Sequence, residues 1–171
     1  MTIAALTVSI AGLAFVASVA YAGVMDLVTM KIRNGLVLFL LAAYAGLAPL
    51  AGWTAAEIGM SVASATGVLA CTFILFGFGW IGGGDAKFAT VVALWLGAEH
   101  TPVYLIYTTL FGGVLTLAFL QFRLMTLPAF CLNRSWITRL HAKETGVPYG
   151  IALATAALFL FPTTRWMEPL V

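Results

Sequence analysis

Charge is what this sequence has least of: eight Lys and Arg and six Asp and Glu in 171 residues, 8% in all. A soluble domain carries about 25% charged residues. Here 63% of residues are hydrophobic and mean hydropathy is +1.07, which predicts an integral membrane protein. The net charge of +2, spread over loops, gives no nucleic-acid footprint. Cysteine and histidine are nearly absent, at two each. Cys71 falls in an apolar stretch and Cys131 in a polar loop, so neither a mutual disulfide nor a CxxC metal or redox pair is expected. His100 and His141 are expected on opposite membrane faces, where they cannot share a metal. HExxH is also missing, Glu99-His100 being an isolated pair, which removes the zinc-protease signature.

Long apolar runs are abundant. A span needs about 20 mostly apolar residues, and six segments approach this: 3–25, 35–52, 58–80, 84–99, 102–122 and 148–164. The expected fold is all-α, a bundle of six transmembrane helices in a single domain, 1–171. The run ending Ala20-Tyr21-Ala22 mimics a signal-peptidase site, but Lys31 and Arg33 follow it and no cation precedes it. An uncleaved first span with its N-terminus outside is expected. The inner loops then carry Lys31, Arg33, Lys87, Arg123, Arg134, Arg139 and Lys143, and the outer segments only Arg165 beside Glu57, Glu99 and Glu168. That asymmetry obeys the positive-inside rule.

Other patterns carry packing expectations. Gly59, Ala63, Gly67 and Cys71 recur every four residues, a small-residue ridge suited to close helix packing. Trp53, Trp80, Trp95 and Trp166 fall near span ends, as interfacial aromatic belts do. In the 123–147 loop, Leu132, Trp136, Ile137 and Leu140 recur at helical spacing beside Arg134, Arg139 and Lys143. Both an amphipathic helix on the anionic inner leaflet and an ordinary basic loop are open.

The fourth segment is short: 16 residues cover roughly 24 Å of a core about 30 Å thick. To cross, it must start near Gly84, which puts Asp85 in its first turn at membrane depth. The run Gly82-Gly83-Gly84-Asp85 thus joins a flexible turn to a costly carboxylate. Asp26, at the inner end of span 1, shares that face. Two carboxylates held close share one proton, one acting as general base on water and the other as general acid. Such chemistry needs no metal, nucleophilic side chain or cofactor. A serine protease would place serine in the glycine turn, and a P-loop would end Gly-Lys-Ser/Thr; Gly82 to Lys87 does neither.

Gly82-x-Gly84-Asp85 followed by Ala86-Lys87-Phe88 resembles the second aspartate motif of type IV prepilin and preflagellin peptidases, the GxGD intramembrane aspartic proteases. Asp26 followed by Lys31-Ile32-Arg33-Asn34 resembles their first motif, with Arg33 where proline commonly stands before the asparagine. Val147-Pro148-Tyr149-Gly150 resembles a run common in that family. The resemblance covers about residues 20–155. It implies Asp26 and Asp85 as the catalytic pair, with Gly82, Gly84, Lys87, Asn34, Pro148, Tyr149 and Gly150 in substrate-binding or supporting roles. Lys87 is expected to anchor its helix at lipid headgroups rather than touch substrate.

Larger bifunctional members add a cytosolic segment with paired CxxC motifs and methylate the new N-terminus. This chain resembles instead the short forms accompanying tight-adherence (Flp-type) pili, so neither zinc nor methyl transfer is expected. The implied activity is removal of leader peptides from Flp-type prepilins at the cytoplasmic side of a bacterial inner membrane, with pilus assembly machinery as a further partner. Preflagellin peptidase is the nearest alternative. A small proton-coupled transporter or a non-catalytic pilus assembly subunit are alternatives from other classes.

Overall fold

In hydrocarbon, backbone N–H and C=O groups have only one another as partners, so an apolar chain must be helical or closed into a barrel. Each of the six apolar segments is helical in the computed structural model, which describes residues 3–167. Glu168, expected on the outer side, lies outside the described residues. The long elements are α1 (Ile3–Thr29), α2 (Asn34–Leu50), α3 (Ala55–Gly77), α4 (Gly83–Leu124) and α7 (Tyr149–Leu160). A 3-10 turn, Phe161–Thr163, extends α7. Two short helices, α5 (Ala129–Leu132) and α6 (Ser135–His141), fill the loop before α7. By length and composition α1, α3 and α4 are long and apolar enough to cross a membrane. Large apolar side chains such as Leu13, Phe73, Val114 and Leu117 point outward, the pattern of a lipid-facing surface.

Local chemistry sets the ends. α3 starts in a reciprocal capping box, with Thr54 N–H donating to Glu57 Oε2 at 2.7 Å and Glu57 N–H to Thr54 Oγ1 at 3.3 Å. It stops where Gly79 turns left-handed, φ 73°, letting Trp80 N–H reach Leu75 O at 3.0 Å.

α4 contains the fourth and fifth expected spans, broken at Gly97 (φ 79°, ψ 172°). Its second arm returns to the end where the first began. Tyr149 packs on Gly112 of the second arm and also lines a cleft with Asp85 of the first. α4 is therefore a hairpin, and its first arm is the centre of the bundle, with α2, α3 and α7 packed against α4. A β-carbon at Gly97 would meet only Ser61 Oγ, at 3.5 Å, so the constraint there is the backbone. Gly97→Ala is expected to cost about 1–3 kcal/mol, read as a lower Tm in detergent with helix content preserved.

Two packing expectations change, and the 123–147 segment, left open between two readings, takes a form. Gly59, Ala63, Gly67 and Cys71 face outward, Gly59 and Gly67 having open space where a β-carbon would sit. The face of α3 that packs inward carries Ser61, Ala65 and Val68 instead. α3 is apolar nearly all round, so periodicity does not choose its inner face. Trp95 and Trp166 are fully buried rather than interfacial. Their rings pack at 4.9 Å, with Phe15 5.1 Å from Trp95. Trp95 Nε1 donates to Leu40 O at 3.0 Å and Trp166 Nε1 to Trp95 O at 2.9 Å, which gives both indoles the partner burial requires. Finally, Trp136, Ile137 and Leu140 of α6 line an apolar groove with Ala118, Phe119 and Phe122 of α4. Of the expected four, Leu140 is buried, Trp136 and Ile137 are half-buried and Leu132 is largely exposed.

Candidate active site

At the end of the bundle where α1 finishes and α4 begins lies a cleft of about 630 Å³. Asp26 and Asp85 both line it. Asp26 sits in the last turn of α1, 4% exposed. Its burial follows from a close helix crossing: a β-carbon on Gly23, one turn earlier, would stand 3.0 Å from Ala154 Cβ of α7. That crossing brings the start of α7 onto the carboxylate, and Gly150 N–H donates to Asp26 Oδ2 at 2.7 Å. The donor is one of the first-turn N–H groups that a helix leaves unsatisfied. A β-carbon on Gly150 would lie 2.6 Å from Asp26 Oδ2 and 2.8 Å from its Cβ and Cγ, so the contact admits only glycine.

Asp85 sits in the first turn of α4, partly exposed to the cleft. A β-carbon on Gly82 would stand 3.1 Å from Asp85 Oδ2, so the turn wraps tightly round this carboxylate. Gly84 packs on the 31–34 turn, its β-carbon position 3.5 Å from Ile32 Cβ. The glycine run thus presses against the loop after α1, and the two aspartate segments meet directly. Trp80, 73% exposed, and Lys31 also line the cleft.

The remaining residues singled out from sequence divide. Gly82, Gly84 and Tyr149 line the cleft. Tyr149 is held by its hydroxyl, 2.9 Å from that of Thr116. Pro148 is fully buried at the N-cap of α7. Lys87 and Asn34 lie outside the cleft: Lys87 Nζ donates to Asn34 Oδ1 at 3.3 Å, tying α4 to the start of α2. Among the described residues no group of three or more His, Cys, Asp or Glu could hold a metal ion. His100 lines a second cavity, also about 630 Å³, with Glu57 and Arg165 at the Gly97 end. Glu57 and Arg165 form an ion pair there. His141 is at the aspartate end, bonded to Met125 O.

Sequence reasoning missed Arg123. It counted there only as an inner-loop cation, but it donates to three backbone carbonyls, two of them just upstream of Pro148. A cation in the last turn of a long helix, where carbonyls lack partners, was the available signal.

No curated protein and no solved structure matches the chain. A family model, that of the type IV leader peptidase family, matches residues 13–117. The match takes in both aspartates and the glycine run and stops before the Val147–Gly150 segment. It covers more than half of the 171 residues, and the protein, a membrane-type helical bundle, belongs to this family of peptidases.

Proposed function

We propose that this chain is an aspartic endopeptidase, with Asp26 and Asp85 as its catalytic pair, that removes the leader from Flp-type prepilins. The observation that carries the reading is the placing of these two carboxylates, from helices far apart in sequence, on one cleft. As a pair they hold one proton between them. The ionised member takes a proton from water, whose oxygen attacks the scissile carbonyl carbon. The protonated member donates to the carbonyl oxygen, giving a tetrahedral diol. Collapse breaks the C–N bond as a proton passes to the leaving amine. Glycine at 82–84 keeps side chains out of the path by which an extended substrate backbone approaches.

Charge supports a cytoplasmic cleft in a bacterial inner membrane. Lys31 lines it, Arg123 and Arg139 bond backbone carbonyls of adjoining segments, and Arg165 is at the far end with Glu57 and Glu99. This is the distribution that sets cationic ends inward, and it supports an orientation with the N-terminus of α1 outside. A prepilin whose leader is cytoplasmic and whose mature helix is in the bilayer would present its scissile bond at this depth.

Co-expression with a Flp-type prepilin tests the reading. Wild type is expected to yield pilin with a new N-terminus by mass spectrometry, and the Asp26→Asn/Asp85→Asn double variant only precursor. Processing by the double variant would overturn the aspartic mechanism. Cleavage of a preflagellin and of no prepilin would reassign the substrate.

A further inference from the structure

We propose that Arg123 is a positioning residue for Asp26, acting through the segment that delivers the Gly150 N–H; this rests on the aspartic-protease reading. Arg123 is in the last turn of α4, on the arm that carries neither aspartate. Its Nε donates to Leu140 O at 3.0 Å, and its Nη2 to Thr145 O at 2.7 Å and Gly146 O at 2.9 Å. The guanidinium also lies over the Phe119 ring, 5.9 Å from its centroid, a cation–π contact. One side chain therefore fastens the end of α6 and the 145–146 backbone to the rim of the bundle.

The fastening matters because the clamped backbone leads straight to the aspartate. Gly146 and Val147 line the cleft, Pro148 is buried with its φ fixed by the ring, and Gly150 bonds Asp26. Three residues separate the clamped Gly146 carbonyl from the Gly150 donor, and the proline removes much of the slack between them. The 145–147 backbone has no regular secondary structure of its own, so the arginine fork sets where α7 begins. Arginine suits the task because its planar donors serve several carbonyls at once, whereas lysine offers one compact ammonium. An ordinary inner-leaflet cation would need only charge, which lysine also supplies.

The test compares Arg123→Gln, Arg123→Lys and, as a charge control, Arg134→Gln, since Arg134 is an exposed cation of the same loop that lies outside the cleft. Two readouts are taken on full-length protein in nanodiscs: amide hydrogen exchange, and kcat and KM on a prepilin substrate. Arg123→Gln is expected to speed exchange across 145–151 by about tenfold or more, with α1 to α3 unchanged. The same variant should lower kcat on the order of 10²-fold with KM little altered, because a displaced Asp26 spoils geometry rather than binding. Arg123→Lys should fall between, and Arg134→Gln should match wild type in both. Wild-type exchange or wild-type kcat in Arg123→Gln would overturn the proposal. If Arg123→Gln cannot be recovered folded, Arg123→Lys decides, and wild-type behaviour there in both readouts would overturn it. Exchange needs no turnover, so an inactive wild type would count against the protease reading while leaving the clamp decided.

Discussion

Gly150→Ala is expected to slow leader cleavage on the order of 10²-fold while leaving the chain in the membrane. The added methyl would lie 2.6–2.8 Å from three atoms of Asp26, well inside van der Waals contact, and neither partner can yield cheaply. Asp26 is on a helix held against α7 at the Gly23–Ala154 crossing, and Gly150 comes just after the buried Pro148. Relief must come from separating the two helices or swinging the carboxylate away from its N–H donor. Misplacing a reacting group by about 1 Å costs on the order of 10²-fold in rate, and overpacking adds about 1–3 kcal/mol of destabilisation. Turnover and Tm should therefore both fall. Gly113→Ala is the matched control, since a β-carbon there meets open space on a helix and alanine favours helix. A Gly150→Ala protein that cleaves at the wild-type rate would show that the close contact with Asp26 has no bearing on catalysis.

The single replacements Asp26→Asn and Asp85→Asn are expected each to lower cleavage on the order of 10⁴-fold or more, as for groups that act as a unit. The double variant should be little worse than either. Asparagine keeps the size of aspartate, and its carbonyl oxygen can still accept the Gly150 N–H that Asp26 now accepts, so the fold has no reason to change. What is lost is the exchangeable proton and the anion that activates water. Rates measured on purified protein against one prepilin decide the matter. Losses that multiply in the double variant would mean independent roles and would count against a shared-proton pair, as would a single variant within about tenfold of wild type.

The features that sequence made legible are those that charge and length control. A segment too short to cross unless it starts at Gly84 put Asp85 at a helix start, and α4 begins at Gly83. The scarcity of cations on one side put Asp26 and Asp85 at one end, and both line one cleft. What stayed hidden depends on which face of an apolar helix turns inward. On α3 the small-residue ridge and the buried stripe are two faces of one greasy cylinder, and the choice between them comes from tertiary packing. Trp95 and Trp166 looked interfacial because they are near span ends, but the bundle end is itself a core there. The Gly150 bond to Asp26 spans 124 positions in sequence, beyond the reach of any local pattern. Gly150 entered through family likeness, and the structure supplies its physical reason.

The first arm of α4 has a consequence for ion leakage. From Val91 to Gly97 every position is buried, and Phe88, Val92 and Trp95 are at 0% exposure. Asp85 and Gly97 are 12 residues apart, about 18 Å along the helix axis. One of the two cavities opens at each end of this stretch. Water and protons entering either cavity thus meet a plug of hydrocarbon and indole before the other. A hydrolase that wets carboxylates inside an energised membrane would short-circuit the proton gradient if its wet regions joined. Here the buried apolar side chains of the central arm stand between the two cavities, so on the aspartic-protease reading the carboxylate end is kept apart from the far one.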